Sequence, residues 1–134
     1  VRVFLDTNVI VSALTARGLS ADVFRLILTE HDLLTGEVNL KELRRVLRVR
    51  MRIPAKRIDE VDELLRQHTV IPIPEKPLDI ELRDPDDRWV LASAVAGSAD
   101  VLVTGDQDLL SIAEEAPLPI LNPRAFWELI RRPS

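Results

Sequence analysis

The chain has no cysteine among its 134 residues. A disulfide framework, a thiolate zinc site and a cysteine nucleophile are therefore excluded. Tyrosine is absent as well, and aromatic residues make up only 4% of the chain, so base stacking is expected to be minor, with Trp89 and Trp127 packing inside. The two histidines, His31 and His68, lack the spacing of a zinc site. No apolar run approaches the ~20 residues that span a bilayer. No basic stretch leading into an apolar one opens the chain, which starts on Val1-Arg2-Val3-Phe4-Leu5, and a cytoplasmic location is expected. The length suits one domain over residues 1–134 with a core of its own.

A net charge of -4 argues, taken alone, against a general nucleic-acid binder. The average conceals a segregation. From Lys41 to Arg57 there are eight bases (Lys41, Arg44, Arg45, Arg48, Arg50, Arg52, Lys56 and Arg57), and Glu42 is the one acid. From Asp79 to Asp108 eight acids face only Arg83 and Arg88. A basic ridge beside an acidic pocket suits a polyanion held next to a metal site.

Apolar runs alternate with helical periodicity along the whole chain. Val3–Leu5 is uniformly apolar, as in a central parallel strand. Thr7 and Asn8 are expected to cap a helix to about Ala16, and Ser20 a second to about Glu30. Leu33–Leu34 predicts a short strand, and Asn39–Arg50 and Pro54–Gln67 predict helices. Val70–Ile73 predicts a strand whose Pro72 suits an edge. Asp84-Pro85 opens a helix to Gly97. Val101–Thr104 and Pro119–Leu121 predict strands, Leu109–Glu115 a short helix, and Pro123–Arg131 a final one. That order is the pattern of an α/β fold with helices on both faces of a central parallel sheet, whose functional crevice lies beyond the carboxyl ends of the strands.

Four acids stand where separate segments could bring them together. Asp6 follows the first strand and Asp106 follows Val101–Thr104 through Gly105. Asp87 shares a helical face with Leu91 and Ala94, so it points along the buried stripe and needs a partner there. Asp84 and Asp86 are explained by the helix start and its dipole, although either could take the place of Asp87. Glu42 lies at the seam between the apolar face of Leu40, Leu43, Val46 and Leu47 and the basic face of Lys41, Arg44, Arg45 and Arg48. An ordinary pairing of Glu42 with Arg45 at i+3 is the alternative. Asp108 is a fifth candidate. Two carboxylates ~4 Å apart at an effective dielectric of about 20 repel by roughly 4 kcal/mol, so a converging set shifts its pKa values upward or binds cations. All-oxygen ligands select hard ions, Mg2+ or Mn2+.

Phe4-Leu5-Asp6-Thr7-Asn8, then Glu42-Leu43-Arg44-Arg45-Val46-Leu47, resembles the opening of PIN-domain proteins. Asp84-Pro85-Asp86-Asp87 leading to Leu91-Ala92-Ser93-Ala94, and then Val103-Thr104-Gly105-Asp106-Gln107-Asp108-Leu109-Leu110, continue the resemblance in order over nearly the whole chain. The likeness is greatest to the single-domain bacterial and archaeal toxins of toxin–antitoxin systems, similar to VapC. It implies a three-layer α/β/α PIN fold and a metal-dependent ribonuclease using Mg2+ or Mn2+. It implies Asp6, Glu42, Asp87 and Asp106 as the acidic quartet, Asp108 as accessory, and Thr7, Asn8 and Thr104 as supporting polar residues. A homodimer and a small antitoxin are implied partners. Thr35-Gly36-Glu37-Val38 departs from the usual serine-led approach to the helix of Glu42. On this reading Lys41, Arg44, Arg45 and Arg48 would track the backbone of an RNA substrate.

Two other functions fit parts of the pattern. A phosphatase of the haloacid dehalogenase type also starts on a strand and an Asp, but needs a second Asp where this chain has Asn8. A non-catalytic RNA-binding or interaction module could share the fold, but has no need of mutually repelling acids.

Overall fold

A computed structural model describes residues 1–131. Five strands form one sheet: β1 (Arg2–Leu5), β2 (Asp32–Gly36), β3 (Thr69–Ile71), β4 (Val101–Val103) and β5 (Ile120–Leu121). Every pairing is parallel, in the order β3-β2-β1-β4-β5. The helices are α1 (Thr7–Thr15), α2 (Leu19–Glu30), α3 (Glu37–Arg45), α4 (Ala55–Arg66), α5 (Asp86–Ala96), α6 (Gln107–Ser111) and α7 (Pro123–Arg131). A π-helical turn, Val46–Arg50, prolongs α3.

The apolar run of β1 is explained by its central place. Successive strand residues point to opposite faces, and both faces are covered. Val3 and Leu5 pack with residues of α1, α2, α3, α4 and α7. Phe4 points the other way, into a second cluster with Leu91, Leu102 and Leu109. Burial of each such side chain contributes ~1.5–3 kcal/mol. The result is the expected α/β/α layering. β3 is an edge strand as expected, and it stops before Pro72, which has no N–H to give a ladder. Among the described residues no helix is long and apolar enough to cross a membrane.

Several boundaries differ from the sequence-based expectation. α2 starts at Leu19 with Gly18, not Ser20, at the cap position. α3 starts at Glu37, two residues before Asn39, directly after Gly36 ends β2. α6 starts at Gln107 and ends at Ser111, because Asp106 caps it by accepting from Asp108 N. At α1 the cap is Asp6 itself, not Thr7 or Asn8.

Candidate metal centre

The chain leaves β1 for β2 on one side, while β4 pairs with β1 on the other. The loops after β1 and β4 therefore diverge, and a crevice opens beyond their carboxyl ends. Register brings Leu5 opposite Val103, and Asp6 N donates to Val103 O at 3.0 Å. Asp6 and Thr104 are neighbours for that reason.

Asp6 is only 4% exposed, and each of its carboxylate oxygens accepts two hydrogen bonds. Oδ1 accepts from Thr7 N (2.8 Å) and Asn39 Nδ2 (3.0 Å). Oδ2 accepts from the Thr104 hydroxyl (2.8 Å) and Asn8 Nδ2 (3.3 Å). Asn8 Oδ1 in turn accepts from Gly105 N at 2.8 Å, tying the loop after β4 to α1. Thr7 is buried, and its hydroxyl donates to Asn39 O and accepts from Asn39 Nδ2. Burial pushes the Asp6 carboxyl up to about 6, against the Thr104 and Thr7 hydrogen bonds and with the charges of Glu42 and Asp106 adding to it.

Asp87 enters from the first turn of α5 and is 6% exposed. Its Oδ2 is buried without a hydrogen-bond partner. Burial, then the charges of Asp106, Asp6 and Asp84, drive its carboxyl up to about 8. Asp87, Asp106 and Asp108 each offer an oxygen within 4.8 Å of the other two. Asp106 is held by its N–H on the Thr104 hydroxyl (3.0 Å) and by accepting from Asp108 N (2.8 Å). Asp84 accepts from Asp86 N at 3.0 Å, the capping role expected of it.

A cavity of about 280 Å³ collects these groups. Asp6, Glu42, Asp84, Asp86, Asp87 and Asp106 all line it. Glu42 arrives from α3 as an exposed side chain, and no ion pair with Arg45 forms among the described residues. The donors are carboxylates, hydroxyls and amides without sulfur or imidazole. That set suits a hard divalent cation. A buried carboxylate oxygen with no partner asks for a ligand of positive charge, and the residues present fit one.

Three residues of the site were not legible as such in the sequence. Asn39 is 1% exposed and bridges Asp6 and Thr7. Its signal was an amide on the apolar stripe with Leu40 and Leu43. Gly36 makes room for it, since a Cβ there would stand 3.1 Å from Asn39 Oδ1. Thr35 is buried, and its hydroxyl donates to Leu5 O at the end of β1 (3.1 Å). Arg50, ending the π-helical turn, lines the acidic cavity; only the local swelling of the helix, which no residue pattern announces, carries it there.

Lys41, Arg44, Arg45 and Arg48 are all exposed. Arg44 stands with Lys41, Arg45 and Arg48 along one groove, and its guanidinium also pairs with Asp59 (2.9 Å) and Asp62 (3.5 Å) of α4. Arg66 likewise binds Glu37 and Asp62, which clamps α4 to the start of α3. The two tryptophans are half-buried and not fully packed. Arg131 lies over the Trp127 ring at 5.3 Å, a cation–π contact.

The family model of the PIN domain matches residues 2–108. The chain belongs to the PIN-domain family. The match spans every acid named above. No curated protein matches this PIN domain. Its fold is similar to that of solved structures at 18% identity. A chain of VapBC2 from Rickettsia felis, bound to a DNA fragment from its promoter, aligns over 90% of this chain and 97% of its own, with a TM-score of 0.62. A chain of FitAB bound to the IR36 DNA fragment aligns over 90% and 94%, also at 0.62. A chain of VapBC-1 from nontypeable Haemophilus influenzae aligns over 91% and 98%, at 0.63.

Proposed function

We propose that this PIN domain is an endoribonuclease dependent on Mg2+ or Mn2+, and that it serves as the toxin of a toxin–antitoxin pair. The observation that carries the nuclease reading is the meeting of Asp6, Glu42, Asp87 and Asp106 in one cavity where a buried Asp87 oxygen lacks a partner. The toxin reading is supported by family membership and by the likeness in fold to chains of VapBC and FitAB. A cytoplasmic homodimer of this domain and a small antitoxin that blocks the cavity complete the proposal.

Asp6, Glu42, Asp87 and Asp106 would hold the cation, with Asp108 beside them. The cation supplies two things when bound, a water acidified enough to attack at neutral pH and neutralisation of phosphodiester charge. The protein supplies orientation. Four hydrogen-bond donors fix Asp6 in place before any ligand arrives, so little reorganisation accompanies binding. The Thr104 hydroxyl couples Asp6 to Asp106, since it donates to one carboxylate and accepts from the backbone of the other residue. Lys41, Arg45 and Arg48 add positive potential for the RNA backbone.

The test is cleavage of a mixed RNA pool with Mg2+ or Mn2+, wild type against Asp6→Asn. Cleavage by the wild type that falls by more than about a hundredfold in the variant is expected, in the range of losing a positioned catalytic group. Equal cleavage by both proteins would overturn the assignment of the site. No cleavage by either, with RNA still bound, would favour a non-catalytic module.

A further inference from the structure

A second cavity, of about 650 Å³, runs between α3 with its π-helical turn and the first turns of α5. Its basic wall carries Lys41, Arg44, Arg45 and Arg48. Lys41, Arg45 and Arg48 have no ion-pair partner among the described residues, whereas the charge of Arg44 is shared with Asp59 and Asp62 of α4. The apolar surface of the groove comes from Val38, Ile73 and Trp89. Ile73 is 59% exposed, and Trp89 is half-buried and lines the groove.

The groove adjoins the acidic cavity. Glu42, Asp86 and Val90 line both. A ligand lying in the groove would lead straight to the carboxylates. Its chemistry must then satisfy three demands at once: negative charges spaced along the cations, flat apolar surface for Trp89 and Ile73, and a group able to share a divalent cation with the acids. A nucleotide chain meets all three, with phosphates for the first and third and bases for the second. An acidic amphipathic helix meets the first two, but brings no phosphodiester to the cation.

We propose that this groove seats the single-stranded RNA segment adjoining the cleaved bond, with one base stacked on Trp89 and the neighbouring phosphates on Lys41, Arg45 and Arg48. Single-stranded RNA is required because a paired base has no face to offer the indole. The proposal rests on the nuclease reading, so binding and cleavage are measured separately.

Binding is measured on the Asp6→Asn protein, which holds RNA without cutting it, using a fluorescein-labelled oligoadenylate decamer with Mg2+ present. Replacing Trp127 with Phe leaves Trp89 as the one tryptophan, because the chain has two. Saturable quenching of Trp89 emission is expected. Trp89→Ala should weaken binding by about tenfold, while Trp89→Phe, which keeps a stacking face, should retain most of it. The exposed pair Arg45→Glu and Arg48→Glu should reduce the slope of log affinity on log salt by about one to two. Melting curves of each variant exclude misfolding. Emission untouched by the decamer, or affinity and salt slope unchanged by Trp89→Ala and by the charge-reversed pair, overturns the proposal and leaves the groove to a protein partner. The wild-type cleavage assay stands apart. Cleavage that persists while binding ignores Trp89 removes the groove but not the nuclease, whereas Trp89-dependent binding without any cleavage removes the nuclease and keeps the RNA seat.

Discussion

Asp6 combines two requirements that rarely meet in one side chain. It caps α1 and is held by four donors, yet it remains charged only against the pull of burial. Asn39 is the donor that links it to α3. Removing that amide in Asn39→Ala leaves Asp6 Oδ1 with one hydrogen bond, from Thr7 N. The loss should cost about 1–3 kcal/mol of stability, the usual range for breaking a buried hydrogen-bond pair. It should also lower kcat more than it raises KM, because the carboxylate loses its fixed direction and the RNA groove is untouched. Thermal melts and steady-state cleavage check the two parts. In the sequence, Asp6 and Asp106 were readable from strand ends and Asp87 from its inward face. Asn39 was not, because an asparagine near a helix start reads as a local capping group. The pairing of Arg44 with Asp59 and Asp62 was not legible, because those acids belong to another helix and helix-to-helix pairing leaves no local signal.

Where α5 ends over β2 and β3, the packing leaves no room for a side chain on Gly97. A Cβ on Gly97 would stand 2.6 Å from Ile71 Cδ1 and 3.1 Å from Leu34 Cδ2. Gly97→Ala should therefore destabilise by about 1–3 kcal/mol through overpacking, seen as a lower Tm. RNA cleavage well below the Tm should survive, since Gly97 lies at the far end of α5 from Asp87. Adding Ile71→Val should restore part of the loss, and non-additivity of the pair is the diagnostic result. Order and type of the elements were legible because short, uniformly apolar runs alternate with segments of 3.6-residue periodicity. Their starts shifted by a residue or two, at Gly18 and Gly36 because no side chain marks the cap, and at α6 because Asp106 caps it earlier than the apolar pattern begins. The π-helical turn was illegible, because Val46–Arg50 keeps the same apolar pattern in either helix type.

At the scale of the molecule, the acidic cavity makes the metal-free fold a proton binder. Burial raises the Asp6 and Asp87 carboxyls from the ordinary 3.8 to about 6 and about 8. The folded state thus holds more protons than the unfolded state across the interval between, and stability falls as pH rises through it. Glu37, lowered from 4.5 by Arg66, acts in the opposite sense only at more acid pH. Metal-free protein should show a higher Tm at about pH 5 than at about pH 8, and Asp87→Asn should flatten that dependence. Mg2+ or Mn2+ should raise the Tm, and by more at the higher pH, because protons and cations compete for the same oxygens. A cation effect equal at both pH values would contradict the shared site.

The pairing of Asp6 with Thr104 spans 98 positions of sequence. β1 stays without its β4 neighbour until Val101–Val103 exist, and Asp106 follows only after them. During synthesis, the first half of the domain can collapse and form its helices while the site still lacks two of its four acids, Asp87 and Asp106, and the Thr104 hydroxyl that orients Asp6. On the proposed nuclease reading, chain order shields the ribosome from its own product: the acidic quartet is complete only once Asp106, in the last quarter of the chain, has emerged.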